Sequence, residues 1–205
     1  MLYSSKKNLA KENLKMSRKE DLRVRKTKKA IAEAFMSMLA EKPIEEMTVN
    51  ELCDRAGVRR TTFYKHYRDK LDYIAAFAKD LRDKFDDIIW KNGKPDSTPD
   101  YYVAYAKQIV AFISRHEIEV NNILQSSVLP LVVTTLSEQN YKDTYDRLMV
   151  SVKAGMELCA SPEVVAGMIV GAVSTAISLW LKGGRKMPAD QLADEIGAMV
   201  KKAMA

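Results

Sequence analysis

Between Met47 and Ile74 the chain reads MTVNELCDRAGVRRTTFYKHYRDKLDYI, and few folds accept such a run. Thr48 followed by Glu51 is the Thr-x-x-Glu signature that opens a helix by capping its free backbone donors. Leu52, Cys53 and Ala56 give that helix a buried side, and Gly57 suits the left-handed residue that ends it. A further helix is expected from Arg60 to Tyr67, and it has two sides. Val58, Phe63 and Tyr67 point inward, while Arg59, Arg60, Thr61, Tyr64 and Lys65 point out. A short bracing helix followed by an exposed basic one is how a protein chain enters a DNA groove.

Each outward residue suits a different part of a duplex. Arg59, Arg60 and Thr61 lie at the end that would enter deepest, where an arginine can pair with a guanine edge. Thr62, Tyr64, His66 and Lys70 are suited to phosphate oxygens, which set register without carrying sequence information. Thr48 adds backbone N–H groups at a helix N-terminus, also directed at a phosphate. His66 has no acidic or cysteine neighbour at ligand spacing, so no metal is expected there, and no cofactor elsewhere. The charge agrees with a polyanionic partner. Residues 1–91 hold 22 Lys and Arg against 15 Asp and Glu, whereas the remainder is nearly balanced.

The rest of the chain predicts helices and no strand, giving an all-α fold. Residues 1–21 lack a sustained apolar period and read as a basic, flexible extension. A first helix starts near Leu22, with Ile31, Ala34, Phe35, Met38 and Leu39 on one face, and Pro43 ends it. Residues 22–69 form the helix-turn-helix domain. Residues 70–205 form a helical regulatory and dimerisation domain. Its first helix runs from Lys70 to about Trp90, with Leu71, Ile74, Phe77, Ala78, Leu81, Phe85 and Ile88 on one stripe. The segment 91–100, KNGKPDSTPD, is the clearest loop. Further helices follow at about 100–115, 117–127, 129–158, 161–182 and 188–203. Cys53 and Cys159 read as small core residues of a reduced, cytoplasmic protein.

The stretch from Thr48 to Tyr73 resembles the DNA-binding domain of TetR-family transcriptional regulators, of the AcrR-like kind. The resemblance rests on Thr48, the Ala56-Gly57-Val58 turn, Thr62, Phe63, Tyr64, His66, Tyr67 and Lys70, and with the first helix it covers about 22–75. It implies a three-helix DNA-binding domain joined to a helical ligand-binding and dimerisation domain, acting as a homodimer on a palindromic operator in double-stranded DNA. Arg59 departs from the pattern, standing where Ser or Asn often caps the third helix, a cap worth about 1 kcal/mol. Thr61 stands where Gly, Ala or Ser is common.

The helix at 161–182 is apolar nearly all round, and must be covered by more than its own domain. A second copy is the simplest cover, with Val165, Ile169, Val170, Val173 and Ile177 as interface residues. Tyr101, Tyr102, Tyr105, Phe112, Met149, Met168 and Trp180 are of the types that line an adaptable apolar pocket for a small effector, although they serve equally as ordinary core. Gly167, Gly171, Ser174, Thr175 and Ser178 in the same stretch favour a buried helix over a membrane span. No nucleophile–base pair, paired carboxylate or cofactor loop marks an enzyme. The expected function is a sequence-specific transcriptional regulator, a repressor released by a small molecule. The alternative is an activator or co-activator whose second domain binds a protein.

Overall fold

The computed structural model describes residues 2–93, 95 and 97–203, and the side chains of 22–93, 95, 97 and 100–203. Among these residues the regular structure is all helical: α1 (Leu2–Glu41), α2 (Val49–Ala56), α3 (Arg60–Phe63), α4 (Lys70–Lys91), α5 (Thr98–Arg115), α6 (Glu117–Leu124), α7 (Leu129–Lys153), α8 (Pro162–Lys182) and α9 (Ala189–Ala203). A single 3-10 turn, Ile44–Glu46, joins α1 to α2. Contacts divide the chain into two units, Met1–Asp72 and Tyr73–Ala205, and the boundary falls in the first turn of α4.

The first unit is organised by the face expected of its first helix. Ile31, Phe35, Met38 and Leu39 are buried with Ile44, Leu52, Cys53, Phe63 and Tyr67. The backbone of α1 begins at Leu2 rather than near Leu22. Residues 2–21 contain no Gly or Pro and many good helix formers, so nothing local interrupts the helix. The side chains of the basic extension expected over 1–21 lie outside the described residues.

Thr48 caps α2, its hydroxyl accepting the Glu51 N–H at 3.2 Å. The Glu51 carboxylate goes elsewhere: Lys42 Nζ donates to both its oxygens at 2.6 Å. A charged partner outcompetes the backbone N–H that a full capping box would offer. Gly57 ends the helix at φ 63°, with its N–H bonded to the Asp54 carbonyl and that of Val58 to the Cys53 carbonyl. This pair of bonds needs the left-handed conformation that glycine adopts without strain. The α-helical part of α3 is shorter than expected. The N–H groups of His66 and Tyr67 both donate to the Phe63 carbonyl, so the chain leaves Phe63 as a tightened turn. Arg59 makes no side-chain cap.

In the second unit α5 packs along α9 and α7 along α8. The first pair approaches closely at Gly197, where an added Cβ would lie 2.7 Å from Val103 Cγ2. Ion pairs Lys201–Asp100 (2.6 Å) and Lys107–Asp194 (2.8 Å) flank that contact. Within this unit α4 buries Tyr73, Ile74, Ala78, Arg82, Phe85 and Ile89. The expected stripe is therefore rotated, because it ran through apolar residues only and passed over Arg82, while Leu71 and Ile88 are exposed. α7 stops at Lys153, short of the expected 158, in a turn at Gly155. After α8, the indole N–H of Trp180 donates to the Met187 carbonyl at 2.8 Å and fixes the connection to α9.

Candidate DNA-binding surface and effector cavity

The surface of α3 follows from the burial of two side chains. Phe63 is 0% exposed and Tyr67 5%, their ring centroids 5.2 Å apart, and this anchors the inner side. One helical step round, Arg59, Arg60, Thr61, Tyr64 and Lys65 are all exposed; Tyr64 is 54% exposed, and its ring packs edge-on with that of Phe63. Thr62 and His66 are half-buried at the margin of this face, and Thr48 is exposed at the start of α2. These groups carry cationic and hydroxyl donors and a phenol, the chemistry that phosphate oxygens and base edges accept.

Lys70 has a different task from the phosphate contact expected of it. Its Nζ donates to the carbonyls of Ile44 (3.0 Å), Glu45 (3.2 Å) and Met47 (2.9 Å). An ammonium has three N–H donors, and all three are spent on the 3-10 turn. A nearby ion pair, Arg68–Asp72 at 3.1 Å, holds the Asp72 carboxyl below the usual range, the Arg68 N–H bond being the main cause.

The second unit encloses a cavity of about 600 Å³. Phe85, Tyr101, Tyr102, Tyr105, Ile109 and Phe112 form part of its wall, so Tyr101, Tyr102, Tyr105 and Phe112 stand where a pocket was expected. The other three expected pocket residues do not reach it. Met149 is half-buried on α7, Met168 is 65% exposed on the outer side of α8, and the Trp180 ring lies under the α8–α9 connection.

One wall of the cavity is polar, and no sequence pattern announced it. Arg82, 5% exposed, is ion-paired with Asp143 from α7 and lies 3.2 Å from Asp83. Outside the cavity lining, Asp86 receives the Arg147 guanidinium at 3.0 Å and the Tyr101 hydroxyl at 2.6 Å. The Arg147 guanidinium also lies 3.8 Å above the centroid of the Tyr101 ring. Tyr105 donates to the Asn140 amide oxygen at 3.0 Å. Burial disfavours the charge on Arg82, and Asp143 leads the neighbours that more than offset it. The pairs join residues far apart in the chain, so spacing could not reveal them.

Burial pushes the phenols of Tyr102 and Tyr105 up to about 12. An unfolded tyrosine titrates near ~10. Both groups therefore favour the folded chain fully below pH ~10, and that contribution is lost as the pH climbs toward 12. Denaturation midpoints should fall over this interval in step with late tyrosinate absorbance. Simultaneous ionisation of all nine tyrosines near their free value would contradict the burial.

The residues expected to form a dimer interface face the other way. Val165 and Ile169 lie in the unit's own core, while Val170, Val173 and Ile177 line the cavity. The apolar residues that α8 turns outward are Val164 (50% exposed) and Met168 (65%), beside the exposed Gly167 and Gly171, whereas the exposed Thr175 and Leu179 also line the cavity. By length and composition α8 would also suffice to cross a membrane, but its inner side, including Ala166 and Trp180, is part of the unit's core.

Comparison with known proteins matches residues 31–76 to the family model described as "Bacterial regulatory proteins, tetR family". Over 55 residues, 26% of this chain, the sequence is 39% identical to YxbF of Bacillus subtilis (strain 168), an uncharacterized HTH-type transcriptional regulator. That match spans only 14% of YxbF. The fold is similar to that of a Rhodococcus sp. protein assigned to the TetR-family transcriptional regulators, with TM-score 0.69 and 15% identity over 88% of this chain and 99% of the other. It is also similar to FadR from Bacillus subtilis, solved in complex with stearoyl-CoA, with TM-score 0.64 and 14% identity over 86% of this chain and 98% of that one.

Proposed function

We propose that this chain is a TetR-family helix-turn-helix transcriptional regulator, a reading supported by the family match over residues 31–76, and that it acts as a homodimeric, sequence-specific repressor which a small apolar molecule releases from DNA. The observation that carries DNA reading is the exposed row Arg59, Arg60, Thr61, Tyr64 and Lys65 over a buried Phe63 and Tyr67. Arg59, Arg60 and Thr61 read base edges. Thr48, Thr62, Tyr64, Lys65 and His66 hold phosphates. The operator is palindromic, and it lies in the cytoplasm with the protein.

A second copy covers the outward residues Val164 and Met168 on α8. Two reading helices about one duplex turn apart then meet successive major grooves. The cavity favours an effector over a purely protein-binding second unit, which would call for a filled core. α4 contributes Ala78, Leu81, Arg82 and Phe85 to the cavity and is continuous with the chain of the first unit. An occupant that shifts α4 alters the separation of the reading helices.

Selection of bound sequences from random DNA by the full-length protein tests the reading. A two-fold symmetric consensus is expected. Arg60→Ala combined with Tyr64→Ala should lower affinity for that consensus about a hundredfold, since a base contact such as that of Arg60 contributes ~1–3 kcal/mol and Tyr64 adds a phosphate contact. Recovery of no preferred sequence, or unchanged affinity in the double variant, would remove the assignment.

A further inference from the structure

The charges that line the cavity do not cancel. Its charged lining residues are Arg82, Asp143 and Lys182. Arg82 and Asp143 pair with each other, whereas Lys182 has no ion pair among the described residues. The nearby Asp83 and Asp86 lie against arginines, not against Lys182. We infer that the occupant is an amphipathic monoanion, a hydrocarbon chain ending in one oxyanion, and that Lys182 receives this head. The inference deepens the reading of the cavity as an effector site and rests on it.

The position of Lys182 makes its charge usable. Ser174, Ser178 and Lys182 all line the cavity and follow at four-residue steps on α8, so they form one track along a single face. The track covers about 12 Å of helix. Both serines are half-buried, and neither hydroxyl has a hydrogen-bond partner among the described residues. The inner wall is committed by contrast: the hydroxyls of Tyr101, Tyr105 and Thr144 donate to Asp86, to the Asn140 amide and to the Asn140 carbonyl. The α8 track therefore offers accessible donors, and it ends at a cation.

No other duty occupies Lys182. A lysine in a last turn can serve free helix carbonyls. Here the carbonyls of Leu179, Trp180 and Leu181 already receive the N–H groups of Gly183, Arg185 and Gly184. Glu117, the acid that reaches the end of α8, is taken by Arg185 at 2.8 Å.

The exposed members of the lining are Val133, Thr175, Leu179 and Lys182, which makes the α7–α8 side the open rim. An oxyanion at this rim keeps part of its water, so it escapes most of the cost of burying an ion. A lysine suits the place, since its stem covers apolar surface while its ammonium stays at the edge. The chain of the molecule lies inside, on Phe85, Ile109 and Phe112. A cationic head would instead meet Lys182 as a like charge.

The test is displacement of the neutral dye phenylnaphthylamine from the full chain by decanoate, decyl sulfate, decanol, decylamine and butyrate. Decanoate is expected to bind about tenfold more tightly than decanol, the gain of one charge-assisted hydrogen bond, and decylamine more weakly than either. Decyl sulfate distinguishes the sources of such a head: a gain equal to that of decanoate assigns any single oxyanion, a smaller one a carboxylate. Butyrate has the same head on a short chain and should bind roughly a hundredfold more weakly than decanoate, or worse, for want of buried methylenes. Lys182→Met removes the charge at an exposed position and should erase the anion's gain, leaving decanol unchanged. Lys182→Arg should keep most of that gain. Decanol or decylamine equalling decanoate, or an anion preference that survives Lys182→Met, overturns the inference while the effector site stands. Butyrate binding as tightly as decanoate overturns it too, because the contact would then be with a surface charge alone. If the dye and every probe fail to bind, the effector site falls with it.

Discussion

Phe63→Ala should abolish DNA binding by unfolding the first unit while the second keeps its structure. Phe63 is wholly buried, and its ring lies against Tyr64 and Tyr67. Removing a buried aromatic ring costs about 3–5 kcal/mol, because the cavity left behind collapses only in part. Whole domains are stable by ~5–15 kcal/mol, and a small one sits at the low end. The cost therefore approaches the full stability of the unit. Hydrogen exchange on the intact chain would check this, with lost protection expected in α2 and α3 and retained protection in α5, α7 and α9. Retained protection throughout, with DNA binding intact, would mean that α3 does not depend on this anchor.

A comparable loss is expected from Val164→Glu combined with Met168→Glu. Val164 is 50% and Met168 65% exposed on the outward side of α8, and neither lines the cavity, so glutamates there do not disturb the unit's own core. In a two-fold dimer each substitution is duplicated, and four new carboxylates would meet in an apolar contact. Sedimentation should return the monomer mass with an unchanged helical signal. Operator affinity should fall by a factor of about 10²–10⁴, the gain that bivalent engagement normally confers. Val170→Glu is a poorer test, since Val170 faces the cavity and its effect would mix occupancy with assembly. A double variant that sediments as a dimer would send the search for the partner surface away from α8.

The two α8 faces explain why the exposed side of α3 was legible from sequence and that of α8 was not. On α3, buried aromatics alternate with charged and polar groups, so composition alone distinguishes inside from outside. α8 carries Val, Ile, Met or Leu in every direction. Periodicity has no phase to report there, and Val165 and Ile169 look the same as Val164 and Met168 until the helix is packed. The aromatic wall on α5 could be foreseen because Tyr101, Tyr105 and Phe112 fall on compatible turns of one helix. Arg82 could not. A charge in mid-helix reads as a solvent-facing residue unless its partner is known, and Asp143 lies on another helix far along the chain. Lys70 was misread for a related reason, since nothing in its neighbourhood indicates that backbone carbonyls more than twenty residues earlier converge on it.

That lysine also has a mechanical meaning. By gripping the Ile44, Glu45 and Met47 carbonyls, its ammonium clamps the root of α4 to the loop that precedes α2. A helix rooted in this way ties its first turn to the Ile44–Met47 segment, so loss of the ammonium would loosen the approach to α2. Arginine would keep the charge but not the grip, because a planar fork cannot aim three donors at one converging cluster as an ammonium does.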